Sequence, residues 1–287
     1  MNPTLVYLNG NFVPETEACV SVFDRGFLYG DGVFETMRSY DGRIFRLWQH
    51  IRRLLESADL IGLRLSHRPE QLAEICVRLM KRNDTQDCIL RLSVTRGKST
   101  GGVGIAHVAE PTIVAFLRSP RSLPADAYSN GVSAKIVSIR RTASSSLSAR
   151  MKSMNFLNNI LAKAEAESGG ADEAIILNQT GYVAEASTAN IFFVRDNCLV
   201  TPSLKCDILA GITRSAVLEL APALGIQCEE RGITPSEIVE FSECFLSSSG
   251  VELLPIRKID GSVVGAGKPG PVYARLHEAY RDLVRKG

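Results

Sequence analysis

The sequence predicts an α+β protein with two domains. Strand-like alternation and helix-like periodicity both occur throughout the 287 residues, and one stretch containing proline and serine, RSPRSLP, interrupts them near the middle. We therefore expect a small N-terminal α+β domain at residues 1–118, an interdomain linker at 119–124 and a larger C-terminal α+β domain at 125–287. A chain of this length can form two domains with buried cores.

Composition and charge argue against several classes of protein. The net charge is only +2 and no basic run or long apolar stretch occurs, so we expect neither nucleic acid nor membrane as a partner. Seven scattered cysteines without a CxxC pair are typical of reduced thiols in a cytoplasmic protein. The four histidines lie far apart, so we expect no metal site. The first residues, MNPTLVYLNGNFVP, do not have the pattern of a signal peptide.

The N-terminal part is predicted to contain two hairpins, two helices and two further strands. LVYLNGNFV forms a hairpin that turns at Asn9-Gly10, and VFETMRSYDGRIFRL forms another that turns at Asp41-Gly42. WQHIRRLLESADLIGL has one apolar side and predicts a helix, and a second helix is expected from about Pro69 to Arg82. CILRLSVTRG and PTIVAFL predict buried strands.

The C-terminal part begins with the predicted strand VSAKIVSI and a serine-rich loop. A helix that includes Lys152 is expected next, because Leu157, Ile160, Leu161 and Ala164 recur at helical spacing. EAIILN and NIFFVRD predict strands, ITRSAVLELAPALG predicts a helix, and SECFLSSSGVELLPI predicts a strand that leads into a serine turn. HEAYRDLV predicts the final helix.

Lys152 is the first candidate for chemistry. It is flanked by Met151 and Met154, and a lysine held in a semi-apolar site is partly neutral, so that its amine can condense with a carbonyl. The ordinary alternative is a solvated lysine. A lysine bound to pyridoxal phosphate also requires an anion site for the phosphate and a carboxylate at the pyridine nitrogen. The chain offers a helix start at 211–213, a serine turn at 247–250, and Glu185.

Five stretches, in their order along the chain, resemble the class IV aminotransferases, which are the fold-type IV pyridoxal-phosphate enzymes. These stretches are YGDGVFETMRSYDGRIFRLWQHIRRL, LRLSVTRG, MKSMNFLNNILAKAEA, GYVAEASTANIFFV and LAGITRSAV. The family includes branched-chain aminotransferases, D-amino-acid transaminases and aminodeoxychorismate lyases. The resemblance implies a two-domain α+β enzyme with pyridoxal 5'-phosphate at the domain interface, and a homodimer or higher homo-oligomer.

The resemblance also implies roles for individual residues. Lys152 is implied to be the catalytic Schiff-base lysine, carried by the C-terminal domain, and Glu185 the partner of the pyridine nitrogen. Arg53 is implied to hold the phosphate, and Leu209 to pack on the cofactor ring. The remaining implied cofactor-binding residues are Gly211, Ile212, Thr213, Ser248 and Ser249. The implied substrate-binding residues are Arg25, Tyr29, Phe34, Thr36, Arg91 and Gly250, of which Arg25 and Tyr29 lie on the stretch that reaches into the partner subunit's site.

Two positions depart from the family pattern. Phe156 stands where a tyrosine often stands, so a hydrogen bond to the ring hydroxyl of the cofactor is missing or is supplied by another group. Thr36 stands where branched-chain aminotransferases have glycine, and a threonine there is similar to aminodeoxychorismate lyases. The Arg-x-His of the best-known D-enzymes is absent from the loop KSTGGVGIAH.

Two functions remain open at this point. The first is an aminotransferase that moves an amino group between small α-amino acids, of branched-chain or D-amino-acid type, and 2-oxo acids. The second is a 4-amino-4-deoxychorismate lyase that releases pyruvate and 4-aminobenzoate, which Thr36 and the glycine-rich loop favour. A catalytically idle cofactor-binding protein is disfavoured, because Lys152 and Glu185 are both present.

Overall fold

Internal contacts divide the chain into two units. The computed structural model describes residues 4–105, 108, 110–120, 123, 124 and 126–286. The first unit contains the described residues up to Pro120 together with Met151–Asn155. The second unit contains the described residues after Pro120 up to Arg150, together with Phe156–Lys286. Lys152 thus groups with the N-terminal unit. The predicted linker at 119–124 falls partly outside the described residues, and the predicted domain boundaries stay a prediction.

The first unit is an antiparallel sheet with helices. Its strands are β1 (Leu5–Leu8), β2 (Asn11–Pro14), β3 (Gly32–Tyr40), β4 (Arg43–Ile44), β5 (Ile89–Thr95) and β6 (Thr112–Arg118). Its helices are α1 (Arg25–Tyr29), α2 (Leu47–Leu60) and α3 (Pro69–Arg82). Within the described residues, the strand order is β2-β1-β6-β5-β3-β4.

Both predicted hairpins are confirmed, and their turns have the backbone that hairpin turns require. Asn9 and Gly10 have φ of 46° and 95°, and Asp41 and Gly42 have φ of 48° and 79°. A two-residue turn in which both residues have positive φ matches the twist of the flanking strands. Asn-Gly and Asp-Gly adopt this conformation readily. Helix α3 begins at Pro69, as predicted.

Strand β3 has one face packed against α2. Val33, Glu35 and Met37 are fully buried on this face, and Ile51 and Leu54 of α2 are buried as well. Successive side chains of a strand point to opposite faces, so the alternate residues of β3 lie on the face that α2 does not cover.

The second unit is a larger mixed sheet with helices. Its strands are β7 (Val132–Arg140), β8 (Glu173–Leu177), β9 (Val183–Ala186), β10 (Asn190–Arg195), β11 (Cys198–Pro202), β12 (Gln227–Arg231), β13 (Glu243–Ser248), β14 (Glu252–Ile259) and β15 (Ser262–Val263). Its helices are α4 (Ala127–Asn130), α5 (Leu157–Ser168), α6 (Ile212–Ala223) and α7 (Pro271–Lys286). In the described chain the strand order is β12-β11-β10-β13-β14-β7-β8-β9, with β15 paired to β14. None of the helices in the described ranges is long and apolar enough to cross a membrane.

The prediction that Lys152 lies in a helix was wrong, because α5 begins only at Leu157. The backbone around Lys152 lies outside the helices and strands and bonds to other parts of the first unit. The N–H of Phe34 donates to the Lys152 carbonyl at 3.0 Å, and the N–H of Lys152 donates to the hydroxyl of Ser57 at 3.1 Å. These bonds attach the lysine to β3 and α2.

The apolar stripe of α5 faces solvent. Leu157, Ile160 and Leu161 are 66%, 57% and 49% exposed. The helix instead packs on β7 and β8 through Ala162 and Ala166, which are fully buried. Small side chains let a helix approach a sheet closely, so the buried side of α5 is its alanine side.

Candidate functional site

Two cationic side chains of the first unit lie over one aromatic ring. The Nζ of Lys152 is 4.7 Å from the ring centroid of Phe34, and the Cζ of Arg91 is 3.6 Å from the same centroid. Arg91 lies on β5 directly opposite Thr36 of β3. A cation over an aromatic face is attracted by the negative potential of that face. The structure therefore brings together four of the predicted residues on the sheet face that α2 does not cover.

Arg91 is a half-buried cation that lacks a carboxylate partner among the described residues. Its Nε donates to the hydroxyl of Ser93 at 3.1 Å. Burial, followed by the positive charge of Arg118, lowers the pKa of Arg91 to about 10. Such a guanidinium is well suited to receive a carboxylate of a substrate, because pairing would offset the cost of its desolvation.

Arg53 is anchored by Glu35. Its Nε and Nη2 donate to the two carboxylate oxygens of Glu35, each at 2.7 Å. The Nδ1 of His50 also lies 2.7 Å from Oε2 of Glu35. Desolvation raises the pKa of Glu35, but the charges of Arg53 and His50 outweigh it and hold the pKa at about 2. Burial lowers the pKa of His50, which the Glu35 carboxylate opposes.

Glu35 and His50 were not among the predicted site residues. A signal was present for Glu35, because it occupies a buried position in the alternation of β3 between Val33 and Met37. A carboxylate at a buried position requires a cationic or hydrogen-bonding partner. The sequence therefore indicated that Glu35 has a cationic or hydrogen-bonding partner, although it did not indicate which residue.

Arg25 lies in a separate network of the first unit. Its Nε donates to Asp31 at 2.7 Å, and its Nη atoms donate to the carbonyls of Gly102, Val103 and Gly104. Its guanidinium also lies 5.2 Å from the ring centroid of Tyr29, a residue that is 44% exposed. Arg25 thus holds the glycine-rich loop that follows β5. Its implied role in binding substrate, and that of Tyr29, stay predictions.

Glu185 of the second unit is held by donors that include one arginine, one backbone N–H and one amide. The Nη2 of Arg141 lies 2.8 Å from Oε1. The backbone N–H of Leu209 donates to Oε2 at 3.1 Å, and the Nδ2 of Asn190 donates to the same oxygen at 3.2 Å. Asn190 and Arg141 were not predicted as site residues. The signal for Asn190 is a polar side chain within the apolar strand sequence NIFFV.

The start of helix α6 presents backbone donors. Gly211 is the residue that caps the helix, and no side chain caps it. The first N–H groups of a helix, here those of Ile212 and Thr213, have no partner within the helix. A side chain at Gly211 would collide with Asn190 Oδ1. Ser247 pairs with Asn190 across the two strands, and its buried hydroxyl has no hydrogen-bond partner among the described residues.

The remaining predicted residues are the three that follow Ser247 in the chain and Phe156, which follows the Lys152 segment. Ser248 ends β13, and Ser249 and Gly250 follow in the turn to β14; all three are half-buried. Phe156 caps the start of α5, and its carbonyl accepts the N–H of Ile160 at 2.9 Å. The effect of Phe156 on the cofactor stays a prediction.

Comparison with known proteins identifies the family. The model of the family "Amino-transferase class IV" matches residues 32–259. The chain is 34% identical to a D-alanine aminotransferase of Bacillus licheniformis, over 97% of this chain and 96% of the relative. It is 33% identical to a branched-chain-amino-acid aminotransferase of Pseudomonas aeruginosa, over 98% of this chain and 92% of the relative. A crystal structure of the branched-chain amino acid aminotransferase from Thermobaculum terrenum in its PLP form matches with a TM-score of 0.89 and 31% identity, covering 99% and 95% of the two chains.

Proposed function

The chain belongs to the class IV aminotransferases, and we propose that it moves the amino group of a small α-amino acid, of branched-chain or D-amino-acid type, to a 2-oxo acid. Its cofactor is pyridoxal 5'-phosphate. The observation that carries the proposal is the arrangement over Phe34, where the amine of Lys152 and the guanidinium of Arg91 share one ring. An amine for the cofactor thus lies beside a cation for a substrate carboxylate.

The residues of the second unit fit the cofactor. The uncapped start of α6 and the unpartnered hydroxyl of Ser247 are hydrogen-bond donors, as a phosphate requires. The missing side chain at Gly211 lets the Asn190 amide pack directly against the start of the helix. The oriented carboxylate of Glu185 is the group that a protonated pyridine nitrogen needs. We therefore infer that Ile212, Thr213 and the turn at 248–250 bind the phosphate, and we propose phosphate binding for Arg53 of the first unit as well.

When bound, pyridoxal phosphate supplies an aldehyde that condenses with amines and a ring that accepts the electron pair released at the substrate Cα. In our proposal, Lys152 provides the covalent attachment and then, as a free amine, removes and returns the proton of the substrate Cα. Glu185 keeps the pyridine nitrogen protonated. Arg91 binds a carboxylate of the substrate through charge-assisted hydrogen bonds, and Leu209 packs against the ring.

Glu35 supports this arrangement from within the first unit. Its two bonds to Arg53 leave the guanidinium little freedom to rotate. A phosphate-binding arginine that is fixed before the cofactor arrives loses less entropy on binding. We infer that Glu35 positions Arg53 and does not itself contact the cofactor.

The lyase alternative receives no support from the relatives described above, which are named as aminotransferases. Thr36 was the main reason to consider it. Its side chain lies on the same sheet face as Phe34 and directly opposite Arg91. In an aminotransferase this position shapes the pocket for the side chain of the substrate.

We also propose that the enzyme is a cytoplasmic homodimer. Apolar side chains in and before α1 are exposed in the single chain: Val22, Phe23 and Phe27 are 61%, 65% and 73% exposed. Large exposed apolar side chains grouped in one short segment are typical of protein interfaces. The seven cysteines are unpaired, which accords with a reducing compartment. Light scattering coupled to gel filtration tests the dimer, and Phe27→Asp should yield monomers.

A panel of amino donors and acceptors tests the activity directly. The purified protein, supplied with pyridoxal phosphate, is mixed with L- and D-forms of leucine, valine, alanine and glutamate, and 2-oxo acid formation is measured. Production of 4-aminobenzoate from aminodeoxychorismate is measured in parallel. Transfer from at least one branched-chain or D-amino acid is expected. Release of 4-aminobenzoate without any transfer would overturn the proposal in favour of the lyase.

A further inference from the structure

A second arginine lies beside Arg91 on the open face of the first sheet. In the register of β5 with its neighbours, Arg91 is opposite Thr36 on one side and opposite Phe116 on the other. Arg118 follows Phe116 by two residues on β6 and is opposite Ile89. Residues two apart on a strand share a face, so Arg118 lies on the same face as Arg91, one diagonal step away.

Neither guanidinium is neutralised by the residues that the structure describes. The Cζ of Arg118 lies 5.1 Å from the ring centroid of Phe116, just as that of Arg91 lies over Phe34. No carboxylate of the described residues forms an ion pair with either arginine. The positive charge of Arg118 contributes to the lowered pKa of Arg91, which indicates that the two cations repel each other. A carboxylate bound at Arg91 would offset the desolvation of Arg91 and weaken the repulsion between the two cations.

The two arginines differ in exposure. Arg91 is half-buried and shares its aromatic ring with Lys152, whereas Arg118 is exposed at the last residue of β6. Along this face of the sheet, Arg91 therefore lies next to the amine of Lys152, and Arg118 lies beyond Arg91, nearer to solvent. One carboxylate at Arg91 satisfies only the inner cation, and Arg118 is left for a second negative group further from the amine.

We propose that Arg118 is a specificity-determining residue, which binds a negative group at the outer end of a substrate and so favours acidic substrates over neutral substrates of the same shape. This inference rests on the proposed function, because it takes Lys152 and Arg91 as the inner part of the substrate site. The chemical class that Arg118 selects is a dianionic amino acid or 2-oxo acid, in which two carboxylates are separated by a short flexible chain. Because Arg118 is exposed, water weakens its attraction for the negative group, and its contribution to substrate binding is moderate.

The kinetic test compares glutamate with glutamine, which has the same shape but a neutral side chain. For Arg118→Gln, kcat/KM for the preferred enantiomer of glutamate should fall about 10-fold, the usual size for one charge-assisted hydrogen bond, while that for glutamine stays within about 2-fold. Arg118→Lys should recover part of the loss. The matched control is Arg64→Gln, an exposed arginine of the same unit, and it should change neither value. Equal losses for glutamate and glutamine, or no loss for either, would overturn the role of Arg118.

A binding measurement separates this inference from the proposed function. Calorimetry on the holoenzyme measures the affinity for glutarate, which has two carboxylates, and for pentanoate, which has one. Wild type should bind glutarate more tightly, and Arg118→Gln should remove most of that difference, even if the chain transferred no amino group. A wild type without transfer but with an Arg118-dependent preference for glutarate would contradict only the proposed function. Loss of both affinities to the same extent would contradict only the role of Arg118.

Discussion

The carboxylate of Glu35 binds Arg53 through both of its oxygens, at 2.7 Å each, in the buried interior of the first unit. This ion pair has a consequence for stability, because either member alone would be a buried charge without compensation. Breaking a buried pair by removing one partner typically costs about 3–5 kcal/mol. We therefore expect Glu35→Gln to lower the free energy of unfolding at pH 7 by about this amount.

The effect should depend on pH in a defined direction. The pKa of Glu35 falls from 4.5 to about 2 on folding, so its stabilisation is present above pH 4.5 and is lost as pH falls towards 2. Urea unfolding of wild type and Glu35→Gln should give stabilities that converge over that range. Glu74→Gln removes an exposed pair with Arg78 and is the matched control, expected to change stability by less than about 0.5 kcal/mol. A Glu35→Gln protein as stable as wild type at pH 7 would show that the ion pair between Glu35 and Arg53 does not stabilise the fold.

Lys152 should be the site of covalent attachment. Reduction of the holoenzyme with borohydride should fix the cofactor to Lys152, as peptide mass spectrometry would show. Lys152→Ala should still bind the cofactor but lose turnover by several orders of magnitude, because attachment and proton transfer both disappear. Lys205→Ala, at an exposed lysine of the second unit, should leave turnover unchanged. An adduct on any other lysine would show that the assignment is wrong.

Glu185→Gln should separate chemistry from cofactor binding. The amide has nearly the same shape but removes the negative charge that faces Arg141, so some loss of stability is expected along with an intact fold. A pyridine nitrogen without a carboxylate partner makes the ring a poorer electron acceptor. Single-turnover kinetics should show a large fall in the rate of Cα deprotonation, whereas cofactor affinity changes far less. An unchanged deprotonation rate would mean that Glu185 is only structural.

Thr36 distinguishes the two reactions that the family offers. In an aminotransferase the residue only shapes the pocket, so Thr36→Val should keep transfer and Thr36→Gly should widen tolerance for bulkier substrates. In a lyase the hydroxyl would help to move a proton, and Thr36→Val would reduce pyruvate elimination by about 10²-fold. Thr36→Ser keeps the hydroxyl and is the matched control. A Thr36→Val protein that keeps any transfer but loses 4-aminobenzoate production would show that the lyase reading is correct.

The local elements of the fold follow from short stretches of sequence. Asn9-Gly10 and Asp41-Gly42 determine their hairpins because these pairs adopt positive φ, and the start of α3 follows from Pro69. The family and its cofactor were also predicted from sequence, because the motifs that carry them are contiguous. Strands β9, β11, β12 and β15 were not predicted, since they contain only 4, 5, 5 and 2 residues, which is too short for a clear alternation of apolar and polar side chains.

What the sequence by itself determined was thus the two N-terminal hairpins, the helices α2, α3, α6 and α7, and the family. The role of Lys152 as the reactive amine stays a prediction. The tertiary structure alone decided which side of α5 is buried and where Lys152 lies. Leu157 and Ile160 stand at helical spacing but face solvent, because the alanines of α5 allow closer packing on the sheet. Lys152 leaves the helix because its backbone groups bond to β3 and α2. Such bonds join residues about 100 positions apart in the chain, and a local pattern contains no information about partners at that separation.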